Sequence, residues 1–108
     1  MRMLLKASMP IAEGNAAVVS GKLGTTIESI LNDLKPEAVY FVEENGARTA
    51  LVFFNLADSS QIPAIAEPWF LAFNAKVQLH PAMNLEDLKK SAPAMESAAK
   101  KYGRAAGA

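Results

Sequence analysis

A chain of 108 residues with 51% hydrophobic and 20% charged side chains can build one domain around one core, and it is too apolar to stay disordered. Eleven basic residues against eleven acidic ones leave no net charge, which argues against a nucleic-acid module and against polybasic docking to a membrane. The chain has no cysteine, which removes disulfide scaffolds, thiolate catalysis and Cys-based metal centres and favours the cytoplasm; its single histidine, His80, leaves no two-histidine metal site within one chain.

In chain order, Met3, Leu5, Ala7 and Met9 alternate with Leu4, Lys6 and Ser8, which predicts a strand with one apolar face, closed by Pro10. The run Met3-Leu4-Leu5 stops at Lys6, short of the ~7–15 apolar residues of a signal peptide, and no stretch approaches the ~20 of a membrane helix. Leu23, Ile27, Ile30, Leu31 and Leu34 recur at helical spacing and predict an amphipathic helix that Pro36 ends. The glycines before it make residues 15–22 a weak or kinked helix, with Asn15 a candidate cap for an earlier start. Gly21-Lys22-Leu23-Gly24 lacks the pattern of a phosphate-binding loop.

Ala38–Val42 and Thr49–Phe54 are β-rich runs flanking Asn45-Gly46, a pair suited to a type I′ turn. With those two residues as the loop, Glu44 faces Ala47, Glu43 faces Arg48, Phe41 faces Ala50 and Val39 faces Val52; on the other side Val42, Tyr40 and Ala38 face Thr49, Leu51 and Phe53. Asp58, Ser59 and Ser60 offer caps to a helix whose stripe is Ile62, Ile65, Ala66, Trp69 and Phe73, which Pro68 should kink or split. Lys76–His80 alternates strictly and predicts a strand with one wet face. Asn84, with Asp87 three residues on, starts a C-terminal helix that Pro93 restarts and that fades near Tyr102. Residues 1–102 therefore form a single domain, and 103–108 a flexible tail.

Strand, helix, strand, strand, helix, strand and a final helix give an α+β fold of the ferredoxin-like βαββαβ kind. A four-stranded antiparallel sheet of order 4-1-3-2 carries both crossover helices on one face. The helix-side face takes Met3, Leu5, Ala7, Val39, Phe41, Ala50, Val52, Phe54, Val77 and Leu79, with Trp69 as a core anchor. The second face takes Leu4, Lys6, Ser8, Tyr40, Val42, Thr49, Leu51, Phe53, Asn55, Lys76, Gln78 and His80. Tyr40, Leu51 and Phe53 are too apolar to leave together in water, and a second copy packed sheet on sheet would cover them.

This element order and mixed second face, with the stretch Glu67-Pro68-Trp69-Phe70-Leu71-Ala72-Phe73-Asn74-Ala75, resemble the dimeric α+β barrel superfamily and small bacterial proteins within it, over roughly residues 2–100. The resemblance implies a homodimer through the open sheet face, with ligand-sized space near the sheet. Relatives include cofactor-independent monooxygenases and lactone isomerases. The haem-degrading branch carries its axial histidine on a helix, and His80 at a strand end departs from that pattern.

Two functions follow. The first is a homodimeric small-molecule-binding protein that takes a small organic anion at the sheet face; the alternative is a cofactor-independent monooxygenase or isomerase. His80 and Tyr40 are the catalytic candidates: the first as a proton carrier near neutral pH, the second as a hydroxyl donor, each with a plainer role at a dimer rim. The ligand-binding candidates are Lys6, Ser8, Tyr40, Thr49, Phe53, Lys76, Gln78 and His80. No acidic residue is expected to share the face of Lys6 and Lys76, so the two cations favour a carboxylate unless they reach solvent or a partner's glutamates. No metal, cofactor, nucleic acid or membrane partner is expected. The adjacent carboxylates Glu43 and Glu44, and Glu86 and Asp87, point to different faces and are read as solvated.

Overall fold

Alternating burial along Arg2–Ser8 marks the first strand, β1, in the computed structural model, which describes residues 1–104. Residues 105–108 of the expected tail lie outside the described residues. The chain continues through α1 (Ile11–Val19), α2 (Leu23–Leu34), β2 (Ala38–Glu44), β3 (Ala47–Asn55), a 3₁₀ turn (Ser59–Gln61), α3 (Ile62–Phe73), β4 (Lys76–Pro81), α4 (Leu85–Lys90) and α5 (Ala92–Tyr102). The strands form one antiparallel sheet in the order β2-β3-β1-β4, the ferredoxin-like arrangement read from the sequence.

The β2–β3 hairpin has the register fixed by Asn45-Gly46, from Glu44 opposite Ala47 to Ala38 opposite Phe53. Both loop residues have positive φ, 53° and 78°, as a type I′ turn requires. The Gly46 N–H donates to the Glu43 carboxylate at 2.8 Å, which closes the turn. The caps also form as their residues predict. Asp58 and Gln61 make a capping box on the 3₁₀ turn, and Asn84 and Asp87 make one on α4.

Three local readings need correction. The segment after β1 is a helix from Ile11, capped at Pro10, and Asn15 lies inside it rather than at its start. Proline's fixed φ presets the entry to that helix. Gly14 is buried there because Arg48 crosses it: an added Cβ would lie 2.8 Å from the Arg48 guanidinium. Second, α3 runs unsplit through Pro68, since Ala66, Trp69 and Phe73 are buried on both sides of the proline and hold the helix to the sheet.

The core lies between α3 and the central strands. Met3, Leu5, Ala7, Ala50, Val52 and Phe54 meet Trp69 and Phe73 there, with Trp69 fully buried and its ring 6.2 Å from that of Phe73. The α2 stripe, Leu23, Ile27, Ile30, Leu31 and Leu34, is only half-buried against this cluster. The third correction follows: Phe41 points to the helix side as expected but is 59% exposed, because α1 and α2 leave the edge strand β2 uncovered there.

Candidate functional site

Strand pairing sets the second sheet face in rows. One row holds Val42, Thr49, Ser8 and Lys76; the next Tyr40, Leu51, Lys6 and Gln78; the third Ala38, Phe53, Leu4 and His80. Tyr40 and Val42 are exposed, Leu4, Leu51 and Phe53 half-buried. Helices α1 to α3 lie on the opposite side, and α4 meets this face at its end, where Asp87 lies 3.7 Å from Arg2.

The ligand candidates Lys76, Gln78 and His80 sit together on β4, all solvent-accessible. Tyr40 lies on the opposite edge strand. Three strand spacings, about 14 Å, separate it from His80, with Leu51, Lys6, Phe53 and Leu4 between. One chain therefore does not bring the two catalytic candidates together. Thr49 is buried and its hydroxyl is already engaged, 3.0 Å from the Ser8 hydroxyl and donating to the Ala47 carbonyl at 3.2 Å.

The electrostatics of this face differ from the sequence reading in one respect. Glu44 shares the face, and its carboxylate accepts from the Lys6 ammonium at 2.6 Å. Alternation along β2 places Glu44 on the face of Val42 and Tyr40, against the expectation of no carboxylate there, and the long lysine stem reaches it diagonally across β3. Lys6 is thus neutralised within its own chain, and Lys76 is left as the cation of the upper row. At the other end of β1 the Arg2 guanidinium contacts Glu37 at 3.0 Å. That hydrogen bond and charge hold the Glu37 carboxyl below its ordinary range and raise Arg2. Hydrogen bonds from the Ser60 hydroxyl and backbone N–H lower Asp58 in the same way.

The sequence did not predict a second feature, an open cleft of ≈ 900 Å³ on the helix side. Met9, Ile11, Leu23, Ile27, Leu31, Phe41 and Ala50 make apolar walls; Glu28, Glu43 and Arg48 stand around them. Arg48 donates to the Asn15 side chain at 3.0 Å across Gly14. The sequence signal was the glycine at 14 opposite a long side chain; its consequence depended on where α1 settles. Among the described residues no group of three or more His, Asp or Glu side chains is placed to hold a metal ion, and no helix is long and apolar enough to cross a membrane.

No family model matches the chain, and no curated protein matches it. Among solved structures it is similar to the de novo designed protein Ferredog-Diesel, at 9% identity over 75% of this chain and 85% of that one, with a TM-score of 0.45.

Proposed function

We propose that the protein is a homodimeric small-molecule-binding protein of the dimeric α+β barrel kind, with two open sheet faces packed against each other. The observation that carries this reading is the uncovered second face: Tyr40 is 60% exposed there, beside Val42, Leu51 and Phe53. Burying such a patch against its own copy removes apolar area from water at ~25 cal/mol per Å². A two-fold axis brings each copy's β4 edge, with Lys76, Gln78 and His80, toward polar groups of the other. A small organic anion with an aromatic body suits a space of that kind: Lys76 supplies the charge, Gln78 and His80 the directional hydrogen bonds, and Phe53 the apolar wall.

Binding is favoured over turnover by the separation of His80 from Tyr40 within each chain. Light scattering tests the assembly: the sheet contact alone predicts a mass of at least about twice the 11.5 kDa chain, and a monomer at micromolar concentration overturns it. Titration with benzoate tests the ligand. Saturable binding that Lys76→Met weakens supports the site, and no binding at millimolar benzoate removes it.

A further inference from the structure

Beyond Tyr40 and its neighbours, the chain leaves a second apolar surface without a partner among the described residues. Leu85, Leu88, Ala92, Met95, Ala99 and Tyr102 follow one another at spacings of three and four, the pattern of a single helical stripe. Helices α4 and α5 join at Ser91, itself in helical conformation, so the stripe continues across both. It is open to water: Met95 is 50% and Tyr102 75% exposed, and α5 buries none of its residues. The main packing partner of α5 is α4. A radius of gyration of 18.5 Å and a longest extent of 60 Å follow, where a compact chain of this length has a radius near 13 Å.

The helix-side cleft has complementary features. The α5 helix of 11 residues is about 16 Å long, and α2, which forms one wall of the cleft, is about 18 Å. Residues 85–104 hold five basic and three acidic side chains, whereas 1–84 hold six and eight. Lys100, Lys101 and Arg104 cluster at the far end of the arm, while two carboxylates, Glu28 and Glu43, stand on the cleft against one cation, Arg48, which is hydrogen-bonded to Asn15. The arm's own cleft lies at the wrong end of the molecule. The arm leaves the sheet where Ala82 bonds to Arg2, and the cleft opens where Met9 bonds to Arg48, a β1 length of about 23 Å away.

We infer that the C-terminal arm docks in trans, with the stripe of α5 laid in the helix-side cleft of a second copy of this chain as an amphipathic helix in a groove. Reciprocal exchange closes the pair as a dimer; one-way exchange gives open chains of copies. This contact is separate from the sheet-on-sheet contact, and Phe53 belongs to the latter alone.

A chain without cysteine permits a direct test by disulfide trapping in the full-length protein. Met95→Cys protein mixed with Glu28→Cys protein and oxidised is expected to form a linked pair at least tenfold faster than Met95→Cys mixed with Lys76→Cys, which sits on the open sheet. In the Phe53→Lys background, where sheet pairing is disrupted, the Met95–Glu28 trap is expected to persist. Three results overturn the inference: equal trapping at positions 28 and 76, loss of the trap in the Phe53→Lys background, or closure within one chain when both cysteines are placed in the same protein.

Discussion

Adjacent phenylalanines on β3 report on opposite faces of the sheet, and replacing each by alanine separates folding from assembly. Phe54 is 2% exposed in the core beneath the helices, whereas Phe53 lies half-buried on the open face. Removing a buried phenylalanine ring costs ~3–5 kcal/mol through lost transfer energy and the cavity left behind. For a domain of this size each kcal/mol shifts Tm by ~4–8 °C, so Phe54→Ala should lower Tm by roughly 15 °C or more at every protein concentration. Phe53→Ala opens no enclosed cavity in the monomer, and its intrinsic cost should be ~1 kcal/mol. Its larger effect falls on the dimer, whose contribution to stability grows with concentration by mass action. Thermal unfolding over a roughly hundredfold concentration range should show a rising Tm for the wild type and a distinctly shallower rise for Phe53→Ala. A concentration-independent loss as large as that of Phe54→Ala would mean that this face is covered by its own chain, and would refute the argument for pairing through it.

Other outcomes follow from local features. Gly46→Val places a β-branched residue at φ 78° and should cost ~1 kcal/mol or more in denaturant unfolding; an unchanged midpoint would contradict the turn assignment. Asn84→Ala removes the cap of α4 and should weaken that helix by ~1 kcal/mol, seen in the dilute, dissociated chain as faster amide exchange at Leu88 and Lys89 with no change in the global unfolding midpoint, because the arm adds nothing to the core of its own chain. Glu37 has its carboxyl pKa lowered from 4.5 by Arg2. Its contribution to stability is therefore present above 4.5 and is lost as pH falls through the lower folded-state value. An NMR titration should find its midpoint below 4.5 in the wild type and raised toward that value in Arg2→Met.

The parts of the fold legible in the sequence are those decided by a few neighbouring residues. Asn45-Gly46 specified the turn and through it every pair of the β2–β3 ladder. Period-two alternation identified β1 and β4, and right-handed crossovers gave the strand order. What depended on the placement of whole elements was not legible. Residues 11–22 carry too many small side chains for periodicity to show a helix from Ile11, and the resulting α1–α2 pair covers β2 incompletely. That single fact exposes Phe41 and opens the cleft, neither of which composition signals. The arm was recognisable as helix from its capping box, but its separation from the body was not, since an exposed stripe and a buried one have the same spacing.

The Lys6–Glu44 contact changes what the sheet face offers an anion, and the change has a sign. The expectation of a free Lys6 rests on a face with no carboxylate, and alternation along β2 puts Glu44 on that face with Tyr40 and Val42. The 2.6 Å contact with Glu44, whose side chain remains 39% exposed, makes the pair electrically neutral as seen from Lys76. Removing either partner therefore leaves the other charge on the face with little loss of fold, since partly exposed pairs add little to stability. Glu44→Gln frees an ammonium and should tighten benzoate binding, whereas Lys6→Met frees a carboxylate and should weaken it. Both effects should shrink with added salt. Isothermal titration at low ionic strength measures the two in parallel. Opposite shifts support a site on this face governed by net charge. Equal losses would mean that the intact ion pair itself shapes the site, and no change in either would move the anion away from the sheet.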